Sequence, residues 1–152
     1  MQALEDLKAQ ENFAQAVLCA NTIILTMDGE LLAHDIAPCD RITTRDANMV
    51  VLLGAHRKRV ICDAVQIKAV SLGRKRPSED IVLPRGIKLL IRDWRADATF
   101  GTKQALIATQ DLHDGEYVKI LTHQELDVVK FIFDKPHVTY AGGLEVGSQI
   151  TL

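Results

Sequence analysis

Asn21-Thr22-Ile23-Ile24-Leu25-Thr26-Met27-Asp28-Gly29, followed by His34-Asp35-Ile36-Ala37-Pro38-Cys39-Asp40-Arg41-Ile42-Thr43-Thr44-Arg45-Asp46, decides how this chain is read. The β-branched and apolar residues at 22–27 make a short strand, and Asp28-Gly29 is the two-residue signature of a reversing turn. Asp40 then falls in a tight turn, where a short carboxylate bonds its own backbone, and residues 41–44 make a second strand.

The same texture continues to the end. Candidate strands follow at 49–54, 58–62, 64–70, 80–83, 87–92, 104–108, 117–121, 127–133 and 137–141. Residues 64–70 alternate apolar and polar, the pattern of a half-buried strand, whereas 127–133 are more continuously apolar and belong deeper. Asp114-Gly115 and Gly142-Gly143 mark further turns, and 74–80 and 93–102 read as polar loops. Many short strands at near-regular spacing predict an all-β fold. Ahead of them, Leu4, Leu7, Ala14, Val17 and Leu18 recur at helical spacing opposite Glu5, Asp6, Lys8, Gln10 and Glu11, which predicts an amphipathic helix over 3–18. The division expected is a helical arm, 1–18, and one β domain, 19–152.

Composition narrows the function classes. At 47% hydrophobic and 25% charged residues, a chain of 152 residues can bury one substantial core, which disfavours disorder. The longest apolar stretch, 14–27, is interrupted by Gln15, Asn21, Thr22 and Thr26, too polar for a membrane span. The acidic residues before it argue against a secretory leader, so the expected location is the cytoplasm. A net charge of −2 gives no global field for nucleic acid, and the triplets Arg57-Lys58-Arg59 and Arg74-Lys75-Arg76 read as solvated strand ends or loops. Cysteines 19, 39 and 62 lack Cys-x-x-Cys spacing, and the five histidines lack metal-ligand spacing. No disulfide, metal or cofactor is expected.

The opening stretch resembles the start of the Hint (Hedgehog/intein) domain, in its bacterial branch, where Gly-Thr, an apolar strand and Asp-Gly precede a Pro-Gly-Asp turn. Asn21-Thr22 stands at the Gly-Thr position and Pro38-Cys39-Asp40 at the Pro-Gly-Asp position. Leu53-Gly54-Ala55-His56-Arg57 loosely echoes a later Trp-Ile-Gly-Arg-Arg block. The stretch from Asp80 to Leu90 is similar to the block carrying Ser-Pro-x-His, and Lys103 to Leu112 to the segment after it. Phe131-Ile132-Phe133-Asp134 with Ala141-Gly142-Gly143-Leu144 resembles the closing block. The resemblance spans residues 17–148 and implies a compact, pseudo-symmetric, Hint-like β fold.

It also implies a reaction. Active members perform an acyl shift, in which a Cys or Ser attacks the preceding carbonyl while a histidine protonates the leaving nitrogen and polar donors hold the oxyanion. The family nucleophile position is Val17 here, which cannot attack. Ser-Pro-x-His has become Leu83-Pro84-Arg85-Gly86, so the histidine position is glycine. The final histidine position falls on Pro136, beside His137, and no asparagine follows Asn48 to cyclise. The expected function is therefore a catalytically inactive Hint-like domain serving as a protein-interaction or accessory module. The contact would run through the former cleft or through the stripe Leu4, Leu7, Ala14 and Val17. Two alternatives stand beside it. One is an autoprocessing enzyme using Cys19 as a displaced nucleophile with Asp134 and His137, and His123 as a further relay member. The other is a structural subunit of a larger assembly.

Overall fold

The computed structural model describes residues 13–150. The sheets are built from β1 (Ala14–Cys19), β2 (Ile23–Thr26), β3 (Gly29–Leu32), β4 (Arg41–Thr44), β5 (Asn48–Val51), β6 (Gly54–Ile67) and β7 (Ile81–Pro84). They continue with β8 (Lys88–Ile91), β9 (Ala105–Ala108), β10 (Val118–Phe133), β11 (Val138–Ala141), β12 (Leu144–Gly147) and β13 (Gln149–Ile150). One sheet runs β13-β1-β10-β6-β7. The other runs β3-β2-β4-β11-β12-β8-β9, with β5 added on β4. Ala16, Leu18, Phe131 and Phe133 of the first sheet meet Ile24, Ile42 and Thr139 of the second around a void of only about 10 Å³. That contact closes the core.

Two long strands organise the first sheet. β6 and β10 pair antiparallel from Gly54↔Ile132 to Val118↔Ile67, broken by one bulge between Leu121 and Gln124. His123 in the bulge has φ +51, and its N–H reaches Asp63 Oδ1 at 3.3 Å. On the solvent face Arg57 forks onto Asp127 at 3.1 and 2.6 Å, and Arg59 reaches Glu125 at 3.2 Å. The first basic triplet is thus largely spent on cross-strand pairing.

Ala14–Cys19 is a strand, not the end of a helix, and this corrects the expectation for the segment. Its Ala, Leu and Gln are good helix formers, but Ala14, Ala16 and Leu18 also fall at period two, and they are the members that are buried. Pairing on both flanks, with β10 and β13, decides between the two periods. Ala14 is wholly buried and Val17 half-buried in this sheet, so they form no exposed helical stripe. Leu4 and Leu7 lie outside the described residues. A helix does occur where a loop was expected: α1 (Trp94–Phe100), started by Asp93 accepting from the Arg95 N–H at 2.9 Å and stopped by Gly101 at φ +66. No helix among the described residues is long and apolar enough to cross a membrane.

The loop at 74–80 folds onto the Gly142-Gly143 turn that joins β11 to β12. Ser78 N–H donates to Gly142 O at 3.2 Å. At Gly143, φ is +82, and an added Cβ would lie 2.6 Å from Lys75 O and 2.8 Å from Ser78 N. Both are backbone atoms that cannot swing aside. Gly143→Ala is expected to destabilise the domain by roughly 2–4 kcal/mol through strain and loss of the loop contact. Denaturant unfolding measures this, and a neutral substitution would mean that the loop is not seated on the turn.

Candidate functional site

Register brings the positions singled out by the resemblance toward one end of the first sheet. Val17 pairs with Lys130, and two residues away, about 7 Å along β1, Gln15 pairs with Gln149 of β13. The chain passes from β7 in one sheet to β8 in the other through Arg85–Ile87. Gly86 sits in that passage, and its backbone groups are held by two side chains. Its N–H donates to Gln110 Oε1 at 3.0 Å, and its carbonyl accepts from Gln149 Nε2 at 2.8 Å. Its φ is +96, a conformation that glycine adopts freely and an L-histidine does not. Space for a side chain exists, since nothing lies within 4 Å of an added Cβ, but the backbone conformation itself disfavours one. Neither glutamine was signalled by the sequence; each is an ordinary polar residue until the fold brings it to Gly86.

Asp134 and His137 are brought together, as the sequence suggested, and Asp46 joins them from the second sheet. His137 is only 3% exposed. Its Nδ1 lies 2.7 Å from Asp46 Oδ2 and its Nε2 lies 2.8 Å from Asp134 Oδ1. Its backbone N–H donates to Ser148 Oγ at 2.8 Å, and the Phe133 ring meets the imidazole edge to face at 6.0 Å. Both ring nitrogens are therefore occupied by carboxylates, and each contact is a hydrogen bond when that nitrogen carries a proton. A ring so clamped is fixed in place and has no nitrogen free to turn toward a leaving group. His123 is not part of this group, since it lies in the ribbon's bulge, ten residues back along β10 from Phe133.

Cys19 is elsewhere. It ends β1, while His137 follows the Phe133 end of β10, which pairs with Ala14. The five residue steps from Cys19 to Ala14 amount to about 17 Å of strand. The thiol is buried, and its pKa is pushed up to about 11 by burial, then by Cys62 and Asp127 nearby. Cys39 is exposed and takes φ +75, the left-handed conformation that glycine adopts most readily. Asp40 caps that turn by accepting from the Ala37 N–H at 2.8 Å, and Asp80 likewise accepts from Ala69 N–H at 2.8 Å. A groove of about 660 Å³ is lined by Cys19, Thr22, Ile23, Ile81, Tyr140 and Gly142 among others. Among the described residues no group of three or more His, Cys, Asp or Glu could hold a metal ion.

The acids around His137 give the site a pH dependence. For Asp46 burial acts upward but is outweighed by bonds from Val138 N–H and His137, which hold the carboxyl below its usual range. For Asp134 the His137 bond is the leading cause of a lowered value. A carboxyl depressed in the folded state stabilises fully above its unfolded value, and the contribution is lost as pH falls through the folded one. Asp46→Asn is expected to lower stability at neutral pH, with the gap to wild type closing below about pH 4. Denaturant unfolding across that range checks it; a gap that acid leaves unchanged would mean that the carboxylate charge is not what binds the imidazole.

Comparison with known proteins agrees with this fold. The fold matches the solution structure of a bacterial intein-like domain from Clostridium thermocellum at a TM-score of 0.58 and 15% identity, covering 88% of this chain and 97% of that one. It matches the crystal structure of the MchDnaB-1 intein at a TM-score of 0.51 and 13% identity, over 87% and 98% of the two chains. Among curated proteins none matches. The family profile described as Hint domain matches residues 16–151, and the chain accordingly belongs to the Hint domain family.

Proposed function

We propose that this domain is a Hint scaffold that does not run the acyl shift and that serves as a protein-interaction or accessory module. The observation that carries the reading is Gly86, whose two backbone groups are engaged by Gln110 and Gln149 and whose φ of +96 disfavours a histidine. An acyl shift needs a nucleophile and a proton donor on the same peptide bond. Val17 supplies no nucleophile. With its pKa near 11, Cys19 is thiolate to only about one part in ten thousand at neutral pH. His137 is held by two carboxylates at the other end of β1. The 660 Å³ groove, with Ile23 at 45% exposure on its wall, offers a surface for a protein partner in place of a reaction.

Intact mass spectrometry on the full-length chain after long incubation, with and without dithiothreitol, tests the reading. The 16.8 kDa species is expected to stay whole in both. Accumulation of a fragment beginning at Cys19, abolished by Cys19→Ala, would overturn it in favour of autoprocessing.

A further inference from the structure

Glu145 of β12 is buried, 5% exposed, at the centre of three arginines that reach it from three different parts of the chain. Arg45, from the turn between β4 and β5, places Nη1 at 3.1 Å from Oε1. Arg92, following β8, places Nη2 at 3.0 Å from the same oxygen. Arg76, from the loop ahead of β7, places Nη2 at 3.5 Å from Oε2 and at 3.0 Å from the Leu90 carbonyl oxygen, while its Nε is buried without a partner.

Three guanidinium groups against one carboxylate leave a formal surplus of two positive charges. Neighbouring acids do not cancel it. Asp46, next to Arg45, is engaged with His137 and the Val138 N–H. Asp93, next to Arg92, caps α1 and holds Arg95. Arg45 and Arg92 converge on a single oxygen, so two like charges are held side by side, which favours a further anion. Each has five N–H donors in a planar fork and, among the described residues, one side-chain partner. Their side chains are 37% and 40% exposed, so the remaining donors are reachable from solvent.

We infer that Arg45 and Arg92, backed by Arg76 and oriented by Glu145, form a binding site for a phosphate-class oxyanion, either free phosphate or a phosphomonoester. Paired guanidinium forks match the tetrahedral oxygens of such a group in a way that chloride cannot satisfy. Glu145 keeps the forks converged when the site is empty, so the anion meets donors already in position. No exchange of covalent bonds is involved.

The test is calorimetric titration of the full chain with inorganic phosphate at fixed ionic strength, chloride being the replacement salt, with a parallel thermal unfolding series. Phosphate is expected to bind with measurable heat and to raise Tm where chloride does not. Arg45→Ala/Arg92→Ala is expected to weaken binding about tenfold or more. Arg57→Ala, on the other sheet, is expected to leave it unchanged. Should the double variant not fold, Arg92→Lys alone keeps the charge, loses the fork and is expected to weaken phosphate binding. A parallel titration with phosphoserine separates the sources: tighter binding than phosphate assigns a phosphomonoester, and equal or weaker binding assigns the free ion. Phosphate acting no differently from chloride, or binding equally to wild type and the arginine variants, would overturn the inference.

Discussion

The antiparallel pairing of β6 with β10 is the constraint on which the other elements depend. Gly54–Ile67 and Val118–Phe133 are separated by fifty residues of chain, so their pairing is a long loop closure that the intervening strands can repay only after it forms. Once made, it offers β10 to β1 on one side and β6 to β7 on the other. It also fixes where β10 ends, and so where Asp134 and His137 are delivered. The single bulge at Leu121–Gln124 shifts the pairing by one residue and lets the ribbon change course, and Asp63 accepts the backbone N–H of His123 there.

Much of this was legible in the sequence because strands, turns and apolar alternation are local. Residues 41–44 and the runs near 81–84, 88–91, 105–108 and 138–141 show their strands in the sequence nearly to the ends. The two long strands each look like two short ones in the sequence, because a bulge and a charged run resemble turns when the partner strand is unseen. β1 looks helical in the sequence because Ala, Leu and Gln favour that state locally, and its partners β10 and β13 lie more than a hundred residues away. β3, β12 and β13 are short edges or closures with little pattern of their own. Val17 and Gly86 are legible outright, being matters of residue identity. The partners around them are not. Gln110 and Gln149, Asp46, and the arginines around Glu145 are ordinary polar residues in the sequence, and only the crossing of the two sheets gives them partners.

Electrostatics divides the second sheet in a coherent way. One buried histidine is bracketed by two carboxylates, and one buried carboxylate is bracketed by three guanidinium groups. Arg45 and Asp46, adjacent in the β4–β5 turn, serve one centre each. A buried charge stripped of its partner is costly, so this turn is fixed from two directions. That the same short turn positions both centres explains why it is so firmly tied to β11, through Arg45 N–H to Val138 O and Val138 N–H to Asp46 Oδ1.

The pairing of Ala14 with Ile150 on neighbouring strands has a topological consequence. Directly opposed residues on antiparallel strands lie about 5 Å apart, so the path through the domain returns almost to its starting point. A bridge of a few flexible residues across that gap would close the backbone into a ring, and new ends could be opened at an exposed hairpin tip such as Met27-Asp28. In such a rearranged chain the same strands would pair in the same register. The architecture belongs to the ring, and the chain order is one of several ways of cutting it.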